Sequence, residues 1–306
     1  GQRIICTDQA ISIDQSQYIY DLLTKYFGTP LDYVKSVSTP MRYDNDFELE
    51  LYNAHQLSPS ELKEYAIKHK GSYRYHIGAL GYAASKTRFD IKFAVQQLAE
   101  FSNTPTDAAY DAIPRIYRYL AADVLRPIVY PQSSFQSSSI ISYMVTPGTH
   151  KSLKLPNFPV NFNDAELARC LSTRNTYYCT LVLVLGVIIQ MKIRKTTTTM
   201  IHTTDAELKA SFDGCRLLVP IRALFEVMGL PLDAPTPLFT DNKAVHDIIE
   251  SERIALRVRH ADLPIAFLHA HKNSTFKSIL VTTNRMLADI GTKPCTPNIH
   301  KRLKYW

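Results

Sequence analysis

What this sequence lacks narrows it first. Its five cysteines, Cys6, Cys170, Cys179, Cys215 and Cys295, are scattered, odd in number and nowhere spaced as CxxC. A disulfide framework and a zinc ribbon are therefore not expected, and a reducing compartment is. The opening GQRIICTDQA has no basic start followed by an apolar core, so it does not read as a secretory signal. One stretch, YYCTLVLVLGVIIQM at 177–191, is apolar throughout, yet it falls short of the roughly 20 residues a membrane span needs. It is β-branched and interrupted by Gly186, which reads as two buried strands joined at the glycine. No membrane partner is expected.

What is present describes a globular chain. The 306 residues are 45% hydrophobic and 21% charged, enough for one large domain or two ordinary ones. A formal net charge of +7 favours a polyanionic partner without requiring one. Residues 131–159, rich in Ser and Pro, read as a linker. Before them the text is mostly helical after a short β-like opening. QYIYDLLTKYF (17–27), the long stretch 73–101 and DAAYDAIPRIYRYL (107–120) all carry apolar residues at helical spacing, with Pro114 set to kink or restart the last. After the linker the pattern changes. A strand at 159–163, the 177–193 hairpin, and a helix that opens at the second DAEL and runs toward Met228, which Gly214 and Pro220 should bend or break, come first. Then follow a strand at 236–240, a helix at 242–251, a helix around 258–271, a strand at 277–282, and a last helix through NRMLADIGTK. This is a mixed α/β sandwich with a short sheet.

The four letters DAEL occur twice, in FNDAELARC (162–170) and TTDAELKAS (203–211). Each acid has an ordinary structural explanation. Asp164 ends a strand, where Asp forms turns. Thr204 and Glu207 fit a capping box, with Asp205 favouring the helix start. Asp241, in LFTDNKAV, stands where an Asp caps a helix, and Asp289 lies on a helical turn closed by Gly291. Their placement together is less ordinary. Asp164 and Asp241 close strands of an α/β sheet, where ligands collect at carboxyl strand ends. Glu207 opens a helix that should cross that sheet. Carboxylates gathered in this number repel unless cations sit between them, and hard oxygen ligands suit Mg²⁺ or Mn²⁺.

In order and spacing, these motifs resemble copia-type (Ty1/copia) retrotransposon Pol polyproteins nearly end to end. QSQYIYDLL, VSTPM, the 73–101 stretch and RIYRYL are similar to text at the end of the reverse transcriptase. FNDAELARCLSTRNT stands where the family has its first catalytic aspartate, and TTDAEL where it has Ser-Thr-Glu-Ala-Glu-Tyr. LFTDNKAV stands for Cys-Asp-Asn-Gln-Ser-Ala, and NRMLADIGTKP for Leu-Ala-Asp-Ile-Leu-Thr-Lys-Pro. The resemblance implies a thumb- or connection-like reverse transcriptase region over 1–130, a linker at 131–157, and a ribonuclease H-like domain of mixed sheet and flanking helices over 158–306. It implies four metal-binding catalytic carboxylates, Asp164, Glu207, Asp241 and Asp289, two Mg²⁺ or Mn²⁺ ions, and hydrolysis of the RNA strand of RNA–DNA hybrids. Glu166 and Asp205 become dispensable. RVRHAD (257–262) is similar to the family's Lys-His-Ile-Asp and offers His260 and Asp262 as accessory groups.

The first region mixes cations with aromatics in KHKGSYRYH (68–76) and RIYRYL. That makes Lys68, Lys70, Arg74, Arg115 and Arg118 candidates for tracking a phosphate backbone, against an amphipathic helix with core tyrosines. No Tyr-Val-Asp-Asp occurs, so this chain alone is not expected to polymerise, and an upstream palm-and-fingers segment is the expected partner. The implied setting is intracellular, in a cytoplasmic virus-like particle or the nucleus. The family's Gly becomes Tyr177, its third-strand Trp Met191, and its Trp-Ala-Gly Leu167-Ala168-Arg169. Its Lys-Gly after RYL becomes Ala121-Ala122, and Pro220 enters a helix it leaves intact. These departures keep a second reading open, a catalytically inactive or domesticated nucleic-acid- or protein-binding module.

Overall fold

The computed structural model describes residues 1–131, 159–170, 173–251 and 262–304. They form two units, Gly1–Tyr130 with Lys293–Trp306, and Pro131–Thr292. The expected linker lies almost wholly outside the described residues, as does His260.

In the first unit, β1 (Arg3–Cys6) and β2 (Ala10–Asp14) pair antiparallel, and β3 (Ile128–Pro131), not foreseen from the sequence, completes a three-stranded sheet. Helices follow: α1 (Ser16–Phe27), α2 (Asn45–Asn53), α3 (Pro59–Lys68), α4 (Tyr73–Lys86), α5 (Lys92–Ala99) and α6 (Asp107–Ala121). Their starts are chemically marked. Asp44, Ser58, Ser72 and Thr106 each accept from an amide three residues on, and Ser58 with Glu61 completes a capping box. The 73–101 stretch is split after α4, where Arg88, fully buried, binds Asp90 at 2.9 Å. Pro114 does not restart α6, which runs through it as one element. Ile113, Ile116, Tyr117 and Leu120 are buried on either side of it, and this packing outweighs the roughly 3 kcal/mol an internal proline costs. Residues 293–304, expected with the C-terminal domain, group with this unit. Here α10 (Pro297–Lys304) brings His300 Nε2 to the Asp90 carbonyl at 3.1 Å.

The second unit is a five-stranded mixed sheet in the order β6-β5-β4-β7-β8. Its strands are β4 (Val160–Glu166), β5 (Tyr177–Val184), β6 (Val187–Lys195), β7 (Thr236–Thr240) and β8 (Phe276–Leu280). β4 to β6 are antiparallel neighbours, while β4–β7 and β7–β8 are parallel. The apolar run at 177–191 is the β5–β6 hairpin, turned at Leu185 and Gly186 with both φ positive, at 55° and 74°. Three helices join the sheet: α7 (Thr203–Val227), α8 (Lys243–Glu250) and α9 (Asp262–His271). Leu208, Cys215 and Leu218 of α7 share a core with Val182, Leu238, Val245, Ile249, Ile265, Leu268 and Phe276. Pro220 does not break α7, because Arg222 ties the exposed C-terminal turns to the Leu232 and Ala234 carbonyls.

Gly214 sets how closely α7 approaches β4. A Cβ there would lie 2.2 Å from Asn163 Oδ1, so no larger residue fits without moving the helix. On the other side of the sheet Phe162 stacks on Phe239 at 4.5 Å. The expected last helix is absent from that region. Residues 283–285 and 287–291 form short 3₁₀ turns instead. Leu287 through Gly291 are buried throughout, leaving no solvent face for an amphipathic helix, and a Cβ on Gly291 would meet Cys179 Sγ at 2.4 Å. Among the described residues no helix is long and apolar enough to cross a membrane.

Candidate metal centre

The three acids come from three kinds of element. Asp164 does not end its strand, as the turn reading had it. It is the fifth of seven residues in β4, paired with Cys179, and 4% exposed. Glu207 belongs to no capping box. The helix starts at Thr203, with His202 as the cap residue and no side-chain cap, so Thr204 is already inside the first turn and Glu207 is past the cap's reach. Glu207 is instead turned inward, where the Ala165 amide donates to its carboxylate. Asp241 follows β7 directly and does not cap α8. Asn242 takes that role, accepting from the Val245 amide at 3.2 Å. Each structural explanation available to Glu207 and Asp241 is thus filled by another residue or not formed.

Asp164, Glu207 and Asp241 each offer a carboxylate oxygen, and these oxygens lie within 4.8 Å of one another. At that separation two full charges repel by roughly 3 kcal/mol at an effective dielectric near 20. Burial, then the neighbouring Asp164 and Asp241, push the Glu207 carboxyl up to about 10, with Asp289 adding to the push. Glu207 Oε2 is buried without a hydrogen-bond partner. An oxygen-only donor set, crowded and carrying an orphaned carboxylate oxygen, fits a hard divalent cation.

Asp289 stands outside the three-acid group, on the buried 3₁₀ turn Leu287–Gly291, close enough to act on Glu207 electrostatically. Three residues on, Thr292 donates its hydroxyl to Asp164 Oδ2. Sequence reasoning missed Thr292, the Ala165 amide and the Asn242 cap. The first was visible in GTKP as a threonine at fixed spacing from Asp289, while an amide donor leaves no trace in sequence. Glu166 and Asp205 are not part of the acid group. Asp262 opens α9.

The cationic candidates all belong to the first unit. Lys68 Nζ pairs with Asp111 at 2.8 Å, and Lys70 Nζ donates to the Phe27 carbonyl at 3.1 Å. Arg74 binds the Ser102 carbonyl and Asn103, and Arg115 binds Thr39. Arg118 is exposed. Tyr73 is core, 3% exposed, whereas Tyr75 is surface. The family departures Tyr177 and Met191 are buried in the sheet unit.

Fold and site together define a mixed α/β protein with a buried carboxylate centre, preceded by a mainly helical region. The chain is similar to the retrovirus-related Pol polyproteins of two Arabidopsis thaliana transposons, RE1 (26% identity over 289 residues, 93% of this chain) and RE2 (26% over 291 residues, 94%). It is also similar to that of transposon TNT 1-94 of Nicotiana tabacum, at 21% over 288 residues. The resemblance to copia-type Pol polyproteins thus holds over nearly the whole chain. The chain spans 17–19% of the length of these relatives. No family model matches it. Among solved structures it is similar to LC11-RNase H1 in complex with RNA/DNA hybrid (TM-score 0.34, 8% identity, 44% of this chain and 94% of that one). It is similar too to the N-terminal RNase H domain of rv2228c from Mycobacterium tuberculosis (TM-score 0.31, 15% identity, 47% and 94%).

Proposed function

We propose that the sheet unit is the ribonuclease H of a copia-type Pol polyprotein, hydrolysing the RNA strand of RNA–DNA hybrids. The observation that carries this reading is the convergence of the Asp164, Glu207 and Asp241 carboxylate oxygens within 4.8 Å, at the positions where the family motifs have their acids. Asp164, Glu207, Asp241 and Asp289 would hold two Mg²⁺ or Mn²⁺ ions. Such a pair, when bound, would supply an activated water and charge stabilisation at the leaving oxygen of a phosphodiester. The residues' own work is to fix that geometry and exclude bulk water. Asp164 is set by its strand, Glu207 by α7 and the Ala165 amide, and Asp241 by the end of β7. Products are a 3′-hydroxyl and a 5′-phosphate.

In this reading the first unit is the end of a reverse transcriptase, and an upstream palm-and-fingers segment supplies polymerisation, in a cytoplasmic virus-like particle or the nucleus. Lys68, Lys70, Arg74, Arg115 and Arg118 would track the duplex backbone, with four of them already sharing their charge or donors with internal partners. His260 and Asp262 would be accessory.

The test is a labelled RNA–DNA hybrid with Mg²⁺ or Mn²⁺, with Asp241→Asn as control. Metal-dependent cleavage that falls on the order of 10²–10³-fold in the variant is expected, the scale of removing one preorganised electrostatic group. Tight hybrid binding without cleavage would instead establish the inactive binding module.

A further inference from the structure

We infer that Thr292 is a positioning residue of the metal centre, coupling the first acid to the last. This rests on the reading of the four acids as metal ligands and adds a residue that takes no metal itself. Thr292 is fully buried, as are its neighbours Ile290 and Gly291 nearly so. Its hydroxyl donates to Asp164 Oδ2, while its amide bonds the Asp289 carbonyl at 3.3 Å and closes the turn that carries Asp289. The hydroxyl has one proton and two acceptors in range. The Asp289 carbonyl is at 3.4 Å, the Asp164 oxygen much nearer, so the proton serves Asp164.

One residue therefore fixes two things. Anchoring Oδ2 fixes the rotation of the Asp164 carboxylate, and with it the direction of Oδ1. Closing the 3₁₀ turn fixes the backbone from which Asp289 projects. The position itself is held from behind: Gly291 lies flat on the sheet, where a Cβ would meet Cys179 Sγ at 2.4 Å and Met191 Cε at 2.7 Å, and Cys179 is the strand partner of Asp164. Outer donors of this kind orient the groups that touch a metal and tune its affinity.

The experiment titrates Mn²⁺ alone into the purified chain, read by calorimetry or by the Mn²⁺ spin-resonance signal, alongside metal-free thermal melting. Thr292→Val removes the hydroxyl at constant shape. It is expected to weaken Mn²⁺ binding by about 10–100-fold and raise the Mg²⁺ needed for half-maximal cleavage in proportion, while Thr292→Ser stays within about threefold of the parent. Should Thr292→Val fail to fold, Thr292→Ser against Thr292→Ala, which differ by the hydroxyl alone, decides the same question. Unchanged Mn²⁺ affinity in the hydroxyl-free variant overturns the proposal. Equal losses in Ser and Val also overturn it, since the centre would then answer to any change at this position and not to the hydroxyl in particular. Asp241→Asn separates the two levels of argument. If it too leaves Mn²⁺ binding intact, the metal centre itself falls. If it abolishes binding and Thr292→Val does not, this inference alone falls.

Discussion

Two buried carboxyl groups, one in each unit, are treated in opposite ways. Asp90 in the helical unit, 8% exposed, is surrounded by its own protein's donors: Arg88 at 2.9 Å, Arg126 at 3.1 Å and the Tyr119 hydroxyl at 2.7 Å. Burial alone would push its carboxyl up, but the Arg88 guanidinium overrides it and holds it below the usual carboxylate range. Glu207 in the sheet unit, 4% exposed, receives one backbone amide and two neighbouring acids, and is pushed up to about 10. A buried charge costs several kcal/mol unless something compensates it. Asp90 has its compensation folded in and serves structure. Glu207 has been left short by the fold, which is the arrangement expected where a cation arrives from outside.

The comparison breaks most visibly at Arg88. Arg88→Met leaves Asp90 buried with less than its full complement and is expected to cost about 3–5 kcal/mol, measured by urea unfolding of the helical unit's transition. Added Mg²⁺ should restore none of it. A loss below about 1 kcal/mol would mean Arg126 and Tyr119 suffice, and the contrast with Glu207 would be one of degree.

The middle effect belongs to Glu207. Burial and the neighbouring acids push its folded carboxyl up to about 10 from the ordinary 4.5, so between those values the native state holds a proton the unfolded chain has lost. The Glu207 contribution to metal-free stability is therefore greatest below about pH 4.5, falls as pH rises, and levels off near 10. At pH 7 the deficit is on the order of 3 kcal/mol. Glu207→Gln, neutral at every pH, should raise the metal-free Tm at pH 8, flatten the slope between pH 5 and 9, and abolish cleavage. Mg²⁺ should stabilise the parent more at pH 8 than at pH 6, because binding must displace the proton. A metal-free Tm that rises across this range would show that Glu207 is charged and otherwise compensated.

How much of this was legible in the sequence depended on what kind of fact was asked for. The acids were legible as a set because motif order and spacing carried them, and so were β5, β6 and β7, whose alternation and turn residues are local. The roles of neighbours were not. TTDAEL reads equally well as a capping box, and what excludes that reading is a helix start two residues earlier, at Thr203, a boundary that local preference does not resolve. TDNK offers two cap candidates, and the Asn takes the role while Asp241 faces the other acids, which only the tertiary fold brings close. Pro114 and Pro220 interrupt neither helix for the same kind of reason: packing and the Arg222 ties decide, and both are tertiary. The last helix was misread because its apolar spacing was helical, while the segment is buried all round and pressed backbone-first onto Cys179. Asp164 inside β4, not at its end, is a strand extended by pairing with Tyr177 and Tyr178, partners that lie beyond an intervening turn.

The smallest expected effect tests the identical letters of the doubled DAEL. Glu166 is the last residue of β4 and half-exposed; alternation puts it on the same face as Asp164, but it is not among the three converging acids. Asp205 lies in the first turn of α7, two residues before Glu207, and consecutive helical positions diverge by about 100° each, so it does not share the buried face. Glu166→Gln and Asp205→Asn should each leave cleavage and Mn²⁺ affinity within about threefold and stability within about 0.5 kcal/mol, the range of ordinary surface changes. Asp164→Asn and Glu207→Gln, each two positions away in the same four letters, should lose both readouts. If Glu166→Gln or Asp205→Asn instead proved as damaging, the centre would include an acid the three-carboxylate group leaves out, and what separates the chemical acids from the solvated ones would have to be sought in something other than burial and convergence.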